Sequence, residues 1–144
     1  MPSAVSVAPG TGSGLAQTFA LLMSDTGGAG AITTAYFVVN AALSGSSGCF
    51  IEYNRGANTL RLVNDAASAW LGPVTLGAGA TINNSQCTVN AAGSSAAVSV
   101  NNITVSVALS FSGTFGGAKN LWLGVNDVSG AESGFQELGM WTVP

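Results

Sequence analysis

The 144 residues predict a single all-β domain, a sandwich or barrel, and three observations carry that prediction. Apolar residues alternate with polar ones along several short runs. Gly, Asn and Ser fill the gaps between those runs. No segment repeats its apolar residues about every 3.6 positions, as an amphipathic helix does. A chain of this length buries about two thirds of its unfolded surface, enough for a proper core.

The elements follow in order. A first strand spans residues 4–8 and stops at Pro9-Gly10. In residues 15–23, Leu15, Gln17, Phe19, Leu21 and Met23 form one face, opposed by Ala16, Thr18 and Ala20. Residues 32–40 (ITTAYFVVN) are β-branched and aromatic without clean alternation, the pattern of a central strand covered on both sides. Residues 49–53 and 59–63 flank Asn54-Arg55-Gly56-Ala57-Asn58 and read as a hairpin. Glu52 lies beside Arg61 in that hairpin, so a cross-strand ion pair is expected.

Trp70 precedes Leu71-Gly72-Pro73 and reads as a loop or an edge. Residues 97–100 and the run from 103 onward are separated by Asn101-Asn102, a pair tolerant of the positive φ that a tight hairpin needs. Ile103, Val105, Val107, Leu109 and Phe111 then make the clearest half-buried strand. Residues 119–127 and 136–143 form a closing hairpin around the turn-rich residues 128–134. The expected total is about seven to nine strands.

Composition excludes much. The chain has no His, three Lys or Arg and six Asp or Glu, for a net charge of −3. Without His there is no Ser–His–Asp triad and no Cys–His pair. Three basic residues cannot form the patch that releases counterions from a nucleic acid, so no nucleic-acid partner is expected. No apolar run approaches the ~20 residues a spanning helix requires, so no membrane insertion is expected. Residues 1–5 lack the basic and apolar regions of a signal peptide. The expectation is a secreted or cell-surface module whose leader is absent from this chain.

Two cysteines, Cys49 and Cys87, stand 38 residues apart. One even pair in a Gly/Ser/Thr/Asn-rich β sequence predicts a disulfide and an oxidising compartment. Two buried free thiols are the other reading.

Val5-Ser6-Val7-Ala8-Pro9, Gly12-Ser13-Gly14, Gln17-Thr18-Phe19 and Ser24-Asp25 resemble the opening of bacterial immunoglobulin-like modules. The run Asn120-Leu121-Trp122-Leu123-Gly124-Val125-Asn126-Asp127, with Trp141-Thr142-Val143-Pro144 at the end, resembles their last hairpin. The middle, from Asn64-Asp65 through Trp70-Leu71-Gly72-Pro73 to Ser85-Gln86-Cys87, is similar to a recurring domain of large secreted bacterial proteins. The resemblance implies an immunoglobulin-like antiparallel β-sandwich over residues 1–144, used as a module. It implies no activity, because such modules serve as spacers, adhesins and ligand binders alike. One departure stands out: the Cys pair does not bracket a core Trp in the antibody manner.

The expected function is therefore non-catalytic: a structural or adhesion module without a cofactor. Its expected partners are neighbouring domains of a parent protein, like subunits, or a glycan. Two alternatives accompany it. One is a carbohydrate-binding module whose platform is Trp122 and Trp141, joined by Trp70 or Tyr53. If the last two strands pair regularly, Trp122 and Trp141 share a face, which is either outward or part of the core. The other is a filament or pilus-like subunit that assembles by strand addition, since low charge guards strand edges poorly.

Other chemistry has thin support. Asp65 and Asp127 each follow an Asn at a strand end and are weak calcium candidates. Lys119 is the only Lys available to a Ser–Lys dyad or a Lys–Asn crosslink, and either needs it buried beside a partner. The acids Asp25, Glu52, Asp65, Asp127, Glu132 and Glu137 show no spacing that forces two together for glycoside hydrolysis.

Overall fold

A computed structural model describes all 144 residues, and it is an all-β sandwich. Twelve strands form: β1 (Pro2–Ala8), β2 (Thr11–Ser13), β3 (Ala16–Asp25), β4 (Ile32–Asn40), β5 (Cys49–Asn54), β6 (Thr59–Val63), β7 (Trp70–Thr75), β8 (Thr81–Asn83), β9 (Cys87–Ser99), β10 (Asn102–Phe111), β11 (Gly117–Asp127) and β12 (Gln136–Val143). A five-stranded sheet has the order β1-β3-β10-β9-β8, and a seven-stranded sheet the order β2-β12-β11-β4-β5-β6-β7.

Twelve strands exceed the expected seven to nine, and one of the extra strands has a local cause. At Pro9-Gly10 the chain leaves the small sheet and enters the large one, so one edge becomes two strands, β1 and β2. Proline has no N–H to continue a ladder, and the break falls there. β2 runs parallel to β12, with Gly12 opposite Trp141, so the large sheet is mixed rather than wholly antiparallel.

Alternation decides the core. Phe19, Leu21 and Met23 of β3 and Ile103, Val105 and Val107 of β10 face Phe37 and Val39 of β4 and Leu121, Leu123 and Val125 of β11. Phe19 sits at the centre, its ring 5.4 Å from Phe37, 5.3 Å from Trp141 and 6.4 Å from Phe111. Large buried rings of this kind contribute a few kcal/mol each to sandwich stability.

Cys49 at the start of β5 and Cys87 at the start of β9 form a disulfide, with Cα atoms 5.9 Å apart, which ties the two sheets together. The Asn84 side chain braces the same end by donating to the carbonyls of Gly48 (2.9 Å) and Val63 (3.1 Å).

The β9–β10 turn is shifted by one residue from the expected Asn101-Asn102. Asn102 begins β10, and the positive φ falls on Val100 at 54°. Register between the long strands sets this position, overriding the residue preference of the turn.

Candidate functional site

The outer face of the large sheet should meet solvent, yet it carries a second apolar layer. Register makes the layer visible as rows across the strands. Trp122 of β11 pairs with Val38 of β4, which pairs with Phe50 of β5. Gly124 pairs with Tyr36, Tyr36 with Glu52, and Glu52 with Arg61. Trp70 of the edge strand β7 pairs with Val63. Val38, Val63 and Trp122 are buried, but none belongs to the core between the sheets.

The rings on this face meet one another. Phe50 lies 5.9 Å from Tyr36, 5.6 Å from Trp70 and 6.0 Å from Phe135, centroid to centroid. Phe135 comes from the loop after β11. Ser133 pins that loop by bonding both backbone groups of Val125. The ring of Phe135 lies over Gly124, where even a Cβ would approach it to 3.3 Å.

A pocket of about 210 Å³ opens here, lined by Tyr36, Phe50, Gly124, Asn126, Glu132, Gly134 and Phe135. On the far side of Phe50 a second hollow of about 290 Å³ is bounded by Phe50, Val63 and Trp70 with Gly45 and residues 67–69. The first volume suits one ring or one apolar side chain rather than a drug-sized ligand.

The polar groups of the face are held in place. Arg61 donates to Glu52 through Nε at 2.8 Å and a terminal nitrogen at 2.7 Å, so the expected ion pair is present. The Tyr36 hydroxyl donates to the other Glu52 oxygen at 3.2 Å. The Arg61 guanidinium also lies 4.9 Å from the Trp70 ring centroid, a cation–π contact. Burial, with the Glu52 carboxylate beside it, pushes the Tyr36 hydroxyl above its ordinary pKa.

The sequence-predicted site residues scatter. Trp122 faces outward as its strand pattern requires, but it is 9% exposed. Trp70 is half-buried and sits within the aromatic layer. Trp141 points into the core at 4% exposure, donating Nε1–H to the carbonyl of Gly14 at 3.0 Å. A bulge separates the two indoles. The pairing shifts between Leu121 and Trp122, so Trp122 opposes Glu137 while Lys119 opposes Trp141. The extra residue flips the face of everything beyond it. Gly12 lies under the Trp141 ring, where a Cβ would come within 2.6 Å. Tyr53 is also core, 3% exposed, and burial raises its pKa too.

Asp65 and Asp127 lie at opposite ends of the sandwich and do not meet. Asp65 accepts from the amide and hydroxyl of Ser85, which lowers its pKa. Asp127 is held at about 2, chiefly by the Ser129 hydroxyl. Lys119 is buried with Nζ on the carbonyl of Gly116 (3.3 Å) and 4.0 Å from the Phe115 ring centroid. No three His, Cys, Asp or Glu side chains cluster as a metal site. No helix is long and apolar enough to cross a membrane.

Sequence reasoning missed Tyr36, Phe50 and Phe135. A signal for the first two was present. A strand covered on both sides needs something on its second face, and the Glu52–Arg61 pair fixes Phe50 on that same side. Phe135 carried none, because its position depends on a loop folding back over Gly124.

No family model, curated protein or solved structure matches the chain.

Proposed function

We propose that this chain is a non-catalytic extracellular adhesion and structural module of immunoglobulin-like form, and that it contacts its ligand through the aromatic outer face of the large sheet. The apolar layer on that face carries the reading. A sandwich needs one buried face per sheet, and an added patch of rings around a pocket is a feature of binding surfaces.

Strand order supports the immunoglobulin-like form. The order β1-β3-β10-β9 corresponds to the A-B-E-D sheet of that architecture, and β12-β11-β4-β5-β6 to its G-F-C-C′-C″ sheet. The disulfide then joins the C′ and D positions instead of B and F. A cross-sheet disulfide suits an oxidising, extracellular setting.

The ligand reading with most support is a carbohydrate. Tyr36, Phe50 and Trp70 offer ring faces and edges, and Asn126 and Glu132 add polar groups at one end of the pocket. The filament reading has less support. The edge strands β2 and β8 have three residues each, β7 carries Pro73, and β1 is bulged between Ala4 and Ser6. Such edges resist strand addition. An enzyme is disfavoured because Glu52 is engaged by Arg61 and Tyr36, and Asp65 by Ser85.

A glycan array read beside Phe50→Ala tests the proposal. Retention by the wild type and at least tenfold weaker retention by Phe50→Ala is the expected result. Binding unchanged in Phe50→Ala would move the ligand to another surface. Turnover of any bound glycan would overturn the non-catalytic reading.

A further inference from the structure

The pocket on the aromatic face has a shape and a charge that select its occupant. Tyr36 and Phe50 lie 5.9 Å apart between ring centroids, Phe50 and Phe135 6.0 Å, and Tyr36 and Phe135 6.5 Å. Their planes are inclined to one another by 76°, 82° and 56° in the same order. Three rings so inclined meet as the corner of a box, not as a flat platform. Gly124 and Gly134 leave the adjoining walls free of side chains.

The charge around this corner is negative. Glu132 lines the pocket, and a backbone bridge to Asn126 holds it there. Its side chain is exposed and takes part in no ion pair. No Lys or Arg lines the pocket. The rings add to this field, since an aromatic face carries the negative lobe of its quadrupole. The Tyr36 hydroxyl donates to the Glu52 carboxylate at 3.2 Å, which leaves the Tyr36 ring richer in electrons.

We propose that this pocket takes a methylated ammonium group, of the kind choline carries, as a substituent of a glycan bound on the same face, a step that rests on the binding role proposed for that face. A cation within about 6 Å of a ring centroid is attracted to the ring, and a group seated in the corner lies in that range of all three rings. Methyl groups fill the apolar corner, where a bare ammonium would lose its water without return. A trimethylammonium head has the size of a tert-butyl group, which a pocket of about 210 Å³ holds. Glu132 at the rim supplies the counter-charge from an exposed position, so its pull is modest and weakens with salt. An anionic substituent would meet Glu132 and find no cation.

The experiment titrates the whole chain with choline chloride and follows the N-methyl proton signal by NMR. Beside it stands the neutral analogue of choline with carbon in place of nitrogen, which has the same shape and no charge. The expected result is a saturable upfield shift of the N-methyl signal, with choline bound about tenfold more tightly than the neutral analogue. Phe135→Leu keeps an apolar side chain on the loop but removes one ring, and should weaken choline about fivefold. Glu132→Gln should weaken it about threefold at low salt and remove most of its salt dependence. Both residues are exposed, so both variants should fold, and far-ultraviolet circular dichroism checks this.

No saturable shift overturns the proposal. So does a neutral analogue that binds as tightly as choline, or choline binding unchanged in both variants. A trimethyllysine peptide bound about tenfold more tightly than choline would move the group to a protein partner and overturn the glycan as its carrier. Failure of the cation and failure of the face are distinguishable. A glycan retained by the wild type and lost by Phe50→Ala, with no choline shift, strikes the cation alone. A choline shift with no glycan retained strikes the glycan and leaves the cation.

Discussion

The two outer faces of the sandwich are built to different specifications. On the small sheet, Thr18, Ala20 and Leu22 of β3 lie beside Thr104, Ser106 and Ala108 of β10, a surface of short side chains without an aromatic ring. On the large sheet, Tyr36, Phe50, Trp70 and Trp122 stand with the Glu52–Arg61 pair. Both sheets bury their inner faces in the same core, so folding alone accounts for neither outer surface. The small sheet demonstrates that an exterior without rings suffices. The second apolar layer of the large sheet is therefore an addition, and the proposed binding role rests on it.

Substitutions can break this contrast. The largest effect belongs to the core ring that the sequence groups with Trp122. Trp141→Ala should cost about 3–5 kcal/mol in denaturant unfolding, whereas Trp70→Ala on the half-buried face should cost about 1–2 kcal/mol. Equal losses would erase the distinction between core and face. Replacing Cys49 and Cys87 together by Ala should cost about 3–4 kcal/mol, since the closed loop of 38 residues is released between sheets. A loss below about 1 kcal/mol would mean that the core alone fixes the sheets.

The polar strip gives a smaller effect with a sharper signature. Arg61→Met strands the buried Glu52 carboxylate and should cost about 1–2 kcal/mol, reduced by the partial exposure of Arg61. Glu52→Gln should bring the raised Tyr36 pKa downward in an ultraviolet titration, because a neighbouring negative charge is gone. An unmoved titration would separate the two side chains. The smallest effect is expected on the other sheet: Thr18→Lys should change stability by no more than about 0.5 kcal/mol and leave ligand binding intact.

Acid tests the loop end. Ser85 holds the Asp65 carboxyl below its ordinary value, so its stabilising contribution is complete above the usual carboxylate range and fades as pH falls through the depressed value. Asp65→Asn should flatten that part of the acid unfolding curve. An identical curve would show that Ser85 contributes nothing to folding.

Much of the fold was legible. Residues 32–40 coincide with β4 and residues 59–63 with β6 because β-branched runs bounded by turn residues leave few alternatives. β8 and the first half of β9 were not seen, since β8 has three residues and the alternation of Cys87, Val89 and Ala91 with Thr88 and Asn90 is too short to stand out among flanking Asn, Ser and Gly. Of the aromatic site, Trp70 and Trp122 were named, Tyr36 and Phe50 were readable from a doubly covered strand, and Trp141, placed on one face with Trp122, lies on the opposite face in the core.

The sequence by itself determined the all-β class, the inward faces of β3 and β10 and the Glu52–Arg61 pair, and it favoured the Cys49–Cys87 bond over two free thiols. Each depends on period-2 alternation or on residue chemistry, both of which are local. The tertiary structure alone decided that Leu121, Leu123 and Val125 of β11 face inward, that a bulge opposite Trp122 sends Trp141 into the core, and that Phe135 folds over Gly124. Register is a property of two strands together, and a shift of one residue exchanges inside for outside without changing the sequence.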